Sequence, residues 1–140
     1  MEKLKRKVFI ETTLTQSFGG MMPIEIEENT IGTLYQNKKG VNYIVYESNL
    51  NSQKIITTVK LYNDSLSLIR IGDVHSRQIF TEGRWHTCYY YVTGNSLILR
   101  SHTKRLEYLI SPEGGSMNLL YDLWSGHCHI GHFCLDIIMC

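Results

Sequence analysis

The chain has 140 residues, 43% of them hydrophobic, and its 14 Lys and Arg against 13 Asp and Glu leave a formal charge of +1. That length predicts one domain burying roughly two-thirds of its unfolded surface, and the near-neutral charge excludes the basic field of a nucleic-acid binder. No apolar run is long enough for a membrane helix, and the absence of alanine beside nine tyrosines and many isoleucines and threonines excludes a helical architecture.

Residues Met1 to Ile10 are basic and amphipathic, but the apolar run Val8 to Ile10 is too short for a signal-peptide core. Without an export signal, Cys88, Cys128, Cys134 and Cys140 are expected to stay reduced in a cytoplasmic protein. The segment Lys3 to Leu14 alternates: Lys3, Lys5 and Lys7 take one face, and Leu4, Val8, Ile10 and Leu14 the other, with Arg6 the exception. After Ser17 to Pro23 a second strand begins with Ile24 and Ile26 inward and Glu25 and Glu27 outward. Pairing these two strands is expected to set the lysines opposite the glutamates.

Turn signals then recur at meander spacing. Asn37 to Gly40 precedes Val41 to Glu47, Asn49 to Ser52 precedes Ile55 to Tyr62, and Asn63-Asp64 precedes Leu66 to Ile71. Gly72-Asp73 leads into Val74 to Phe80, Glu82-Gly83 into Trp85 to Thr93, and Gly94-Asn95 into Leu97 to Thr103. A break near Lys104 leads to Leu106 to Ile110, Pro112 to Gly115 to Met117 to Trp124, and Ser125-Gly126 to a final strand ending at Cys140. Roughly ten strands with no helical spacer predict antiparallel neighbours curling into an all-β, up-and-down barrel of about eight to ten strands. Phe133, Leu135, Ile137 and Met139 are expected to close it against the first strand.

Several of these pieces carry a family likeness. Tyr43-Ile44-Val45-Tyr46-Glu47, Thr57-Thr58-Val59-Lys60, Leu68-Ile69-Arg70-Ile71-Gly72 and Phe80-Thr81-Glu82-Gly83 occur in order, followed by Thr103 to Tyr108 and Glu113 to Leu123. In this order and spacing, Gly32 to Leu123 resembles the YwiB-like family, small bacterial calycin-like barrels of unknown function. The resemblance implies a lipocalin-like antiparallel barrel and brings no activity and no catalytic residues. The Gly94-Asn95-Ser96 turn and the His/Cys-rich tail after Leu123 depart from the family pattern.

Arg70 shares a face with Leu66 and Leu68, and Glu47 ends the face of Val41, Tyr43 and Val45. If both faces point inward, two charges stand at the inner rim, either as a structural ion pair or as the polar anchor of an amphiphile. Glu47, Arg70, Tyr43, Thr57 and Leu68 are therefore the expected ligand-binding set for a small apolar or amphiphilic molecule. The competing expectation is an interaction module with a filled interior, and a homo-oligomer fits either. A lumen of roughly 300 Å³ or more separates the two in favour of a ligand.

The loop Phe18 to Pro23 supplies glycine hinges and apolar side chains for a lid, or else packs on a neighbouring strand. Tyr89 to Tyr91 and Trp85 are read as strand packing, since only scattered Arg77, Arg84 and Arg100 stand by to hold nucleic acid. His127, His129, His132 and Cys134 are weak metal candidates: His132 and Cys134 share one face and His127 and His129 another, with no zinc-knuckle spacing. No nucleophile elbow, phosphate loop or zincin motif is present, so no enzyme and no cofactor are expected.

Overall fold

The computed structural model describes residues 4–49, 52–111 and 113–140. Lys3, Leu50, Asn51 and Pro112, which belong to the expected first strand and two expected turns, lie outside the described residues. Ten strands follow in order: β1 (Leu4–Ser17), β2 (Ile24–Gln36), β3 (Asn42–Ser48), β4 (Ile55–Leu61) and β5 (Ser65–Gly72). They continue as β6 (Val74–Thr81), β7 (Trp85–Val92), β8 (Asn95–Ser111), β9 (Gly114–Ser125) and β10 (Cys128–Met139). Each strand pairs antiparallel with its sequence neighbours, and β10 pairs with β1, so the sheet closes as an up-and-down barrel. Closure joins the two border strands of the sheet, although β2 pairs with β3 only over Thr33 to Gln36. Among the described residues no helix is long and apolar enough to cross a membrane.

Alternation explains most of the wall. Val8 and Ile10 of β1, Leu66 and Leu68 of β5, and Phe133, Leu135, Ile137 and Met139 of β10 all point inward and are buried. The β10 set meets β1 in the expected way, with Leu135 opposite Leu14 and Ile137 opposite Thr12. Aromatic side chains pack the middle of the lumen: Tyr121 stacks on Phe133 at 5.2 Å between ring centroids and tilts against Phe80 at 4.7 Å. Each such fully buried side chain contributes about 1.5–3 kcal/mol by leaving water.

Two expectations about register are corrected. Lys5 and Lys7 stand opposite Tyr35 and Thr33, while Glu25 and Glu27 stand opposite Thr15 and Thr13. The strands of this first hairpin are long, and antiparallel pairing sets the start of β1 against the end of β2, which puts the lysine end of β1 far from the glutamate end of β2. In β3 the inward residues are Ile44 and Tyr46, both buried. Tyr43, Val45 and Glu47 therefore face outward, the reverse of the expectation. The stretch Tyr43 to Tyr46 is apolar on both faces, so its alternation carries no sign; pairing of the fully buried Ile44 with the fully buried Val59 sets it.

Gly72 ends β5 at a positive φ of 141°. A Cβ there would collide with the Lys54 carbonyl oxygen, so glycine alone lets β5 turn into β6 against the β3–β4 connection.

Candidate functional site: the open end of the barrel

The barrel is packed at one end and hollow at the other. A cavity of about 400 Å³ opens at the end that carries the β1–β2, β3–β4, β5–β6 and β7–β8 turns. Leu14, Ile26, Ile55, Val74, Val92 and Leu135 give it apolar walls. Its polar groups come from Thr12, Glu28, Tyr46, Ser48, Thr57, Arg70 and Tyr90. Leu68, one inward position deeper than Arg70 on β5, is buried, and Tyr121, Phe133 and Phe80 form an aromatic cluster in the interior.

Arg70 is the cation of this cavity. It stands directly across from Thr57 on β4 and from Ser76 on β6, and all three side chains point inward. Half-buried, it makes no ion pair among the described residues. Its neighbours are hydroxyls. Burial pushes the Tyr90 hydroxyl above its ordinary value, and the charge of Arg70 pulls it partly back. Tyr46 is likewise raised by burial, with Arg70 and a hydrogen bond to Thr57 lowering it and the Glu28 carboxylate adding to the rise. Glu28 is engaged at the rim, where the Ser48 hydroxyl donates to its Oε1 at 2.7 Å.

Of the five residues expected to form the site, Arg70 and Thr57 line the cavity and Leu68 lies beneath it. Glu47 and Tyr43 do not enter it. Glu47 lies on the outer wall, 44% exposed, and pairs with Lys54 at 3.3 Å. Tyr43 stacks outside on Tyr35 with ring centroids 4.5 Å apart, under the Lys60 ammonium. Both corrections follow from the reversed face of β3. Its true inward member, Tyr46, and the partner strand's Glu28 were missed. The pairing of Ile44 with Val59 was the signal that could have found Tyr46.

The Phe18 to Pro23 segment divides in two. Phe18 packs edge-on against Phe133 at 6.0 Å, while Met21 and Met22 stand 66% and 86% exposed at the open end. Of Tyr89, Tyr90 and Tyr91, only Tyr90 turns inward. Trp85 lies outside, with the Arg100 guanidinium 4.9 Å above its ring.

A second polar wall runs along the inner face of β6 to β8, where Ser76, Gln78, Cys88, Ser101 and Thr103 are buried. Gln78 donates to the Cys88 sulfur at 3.8 Å. Burial pushes the Cys88 thiol up, so it remains protonated at neutral pH. Cys88, Cys128, Cys134 and Cys140 are all free thiols.

The His/Cys-rich tail is rearranged relative to expectation. His127 is exposed in the β9–β10 turn, and Cys134 is engaged with Asp136 and Asn118. His129 and His132, expected on opposite faces, both turn outward and meet Asp122 of β9. Burial pushes the Asp122 carboxyl up, but Lys104 and His132 outweigh it and hold the group below its ordinary value.

The crystal structure of ywiB protein from Bacillus subtilis matches with a TM-score of 0.84 and 21% sequence identity, covering 96% of this chain and 92% of that chain. At that identity the likeness shows the ten-stranded barrel fold alone. No curated protein matches the chain. The family model described as Domain of unknown function (DUF1934) matches residues 10–137. With that match spanning nearly the whole barrel, the chain belongs to the DUF1934 family, as a YwiB-like β-barrel.

Proposed function

We propose that the protein binds a small amphiphile at the open end of the barrel, with an anionic head group on Arg70, and that it acts by binding rather than by catalysis. The observation that carries this is a half-buried guanidinium inside a cavity of about 400 Å³ with no carboxylate in ion-pair reach among the described residues. Arg70 donates a hydrogen bond to the Tyr90 hydroxyl, which carries no charge. A buried charge without an opposite charge is costly, and a carboxylate or similar anion supplies it through two parallel hydrogen bonds. The apolar residues around it, Leu14, Ile26, Ile55, Val74 and Leu135, suit the body of the same molecule.

The cavity falls within the range of ligand sites, about 300–1,000 Å³, which speaks for a ligand and against a wholly filled interaction module. An up-and-down barrel with one packed and one hollow end is also the arrangement by which lipocalin-like barrels hold a small guest. The four free thiols accord with a cytoplasmic setting.

Native mass spectrometry of freshly purified protein, followed by displacement of a fluorescent amphiphile with dodecanoate or dodecyltrimethylammonium, tests the assignment. Dodecanoate is expected to displace the probe better than the cation, and Arg70→Leu to weaken it while the circular dichroism spectrum is retained. Preference for the cation would move the anchor to Glu28, against the proposal. Failure of any amphiphile to bind would leave a filled module as the better account.

A further inference from the structure

The outer wall of the barrel carries a second set of converging side chains. Asp122 of β9 is opposite His132 of β10, and both point outward. His129 lies three residues before His132, a spacing that puts two side chains on opposite faces of a regular strand. The register of β10 shifts between His129 and Gly131, so Ile130 is an extra residue and both imidazoles emerge on the same face. A similar shift in β8 between Thr103 and Arg105 makes Lys104 the extra residue there. Lys104 Nζ reaches Asp122 Oδ2 at 3.2 Å. Asp122 is thus flanked by a bulge on each neighbouring strand, and bulges serve to re-aim side chains.

We propose that Asp122, His129 and His132 form a site for a divalent transition-metal ion of the zinc class. One donor atom from each residue lies within 4.8 Å of the other two. His129 Nε2 is 3.6 Å from Asp122 Oδ1, the oxygen that His132 Nδ1 also faces. Donors on a tetrahedral zinc ion, bonded at about 2.0–2.2 Å, stand a little over 3 Å apart, so small rotamer shifts complete the set. The two rings approach to 4.7 Å between centroids at 56°. A hydrogen-bonded Asp–His pair needs one imidazole; two imidazoles on one carboxylate oxygen are what coordination needs.

The surroundings fit. Lys104 occupies Oδ2 and so leaves Oδ1 to ligate, the role of an outer partner that orients a metal-binding carboxylate. Trp124 packs edge-on against His129 at 4.9 Å and fixes that ring. Two nitrogens and one oxygen suit zinc, nickel or copper rather than calcium or magnesium. His132 is 54% exposed, so a fourth position faces solvent, the pattern of open three-ligand sites.

The test uses the full chain without a histidine tag, freed of metal by chelator and titrated with ZnCl₂ by calorimetry. One ion per chain is expected, with no response to MgCl₂ and with a zinc-dependent rise in melting temperature. His129→Ala and His132→Ala should each lower zinc affinity about ten-fold or more, the scale on which even outer-shell changes act. Cys134→Ser and His127→Ala should leave it unchanged. Because His129 and His132 are on the surface, their variants are expected to fold, and the metal-free melting curve checks this. CuCl₂ should quench tryptophan fluorescence through Trp124, and His129→Ala should abolish the quenching. Substoichiometric zinc, or binding that survives both histidine changes or vanishes with Cys134→Ser, would overturn the site.

Discussion

Thr57 and Arg70 are paired directly across β4 and β5, and both side chains enter the hollow end of the barrel. The pair sets a hydroxyl beside a guanidinium, where a guest's head group would be held from two strands. If the head group is planar and anionic, the forked geometry of arginine matters beyond its charge. Arg70→Lys is therefore expected to bind dodecanoate more weakly than the parent, and Arg70→Leu more weakly still. The loss for leucine should reach about 1.5–3 kcal/mol, the worth of a hydrogen bond to a charged group. Fluorescence titration of the three proteins ranks them; equal affinity of lysine and arginine variants would argue for a simple point charge.

Glu47 gives the opposite expectation. Its partner Lys54 is 72% exposed, and the pair lies outside the barrel. Exposed ion pairs contribute about 0–1 kcal/mol. Glu47→Gln should leave dodecanoate binding unchanged and the urea midpoint nearly so. A large loss of ligand affinity in this variant would contradict the outward face of β3.

Leu68 lies fully buried beneath the cavity. Leu68→Ala should cost about 2–5 kcal/mol of stability by the lost burial and the void it leaves. The same void extends the floor of the cavity, so longer-chain carboxylates should gain relative to dodecanoate. Chemical denaturation and a chain-length series measure the two effects separately.

Alkaline pH should loosen the fold. Burial raises Tyr46, Tyr90 and Tyr121 above the ordinary tyrosine value of 10.0. The unfolded chain releases these protons first, so the folded state binds more protons above that pH. Stability is then intact below about pH 10 and falls as the pH climbs toward the folded values. Melting temperatures should be flat in this respect up to about pH 10 and decline beyond it, with a shallower decline in Tyr121→Phe. Ultraviolet titration should show these three tyrosines ionising above the ordinary tyrosine value.

Gly72→Ala should destabilise the barrel by about 1–3 kcal/mol, the scale of a residue forced into a disfavoured backbone region. Its φ of 141° and the nearby Lys54 carbonyl leave no room for a methyl group. The β5–β6 turn positions Arg70, so ligand affinity should fall together with stability, as paired melting and titration curves would show.

The architecture was legible because the signals behind it are local. Phe133, Leu135, Ile137 and Met139 alternate with His132, Cys134 and Asp136, and only Ile138 on the other face is a large apolar residue, which favours one way to face the core. Leu66, Leu68 and Arg70 did the same for β5. Tyr43 to Tyr46 could not, since either face of that run is apolar enough to be buried. Asp122 was invisible for another reason. It stands opposite His132, but His129 joins the pair only because a bulge in β10 shifts that strand, and a bulge carries no strong mark in composition. The first hairpin failed at longer range: charge complementarity between lysines and glutamates is worth a few tenths of a kcal/mol, far too little to override a register set by burial.

The seam between β1 and β10 bears on how the molecule is made. Phe9 and Cys140 exchange backbone hydrogen bonds in both directions at 2.9 Å, the last rungs of that seam. During synthesis the other nine strands can zip up hairpin by hairpin, yet the nascent sheet keeps two raw borders until β10 emerges. No enclosed chamber exists before then. A permuted version cut at Gly94-Asn95, with the old extremities tethered, would complete the seam early and leave a different rung for last.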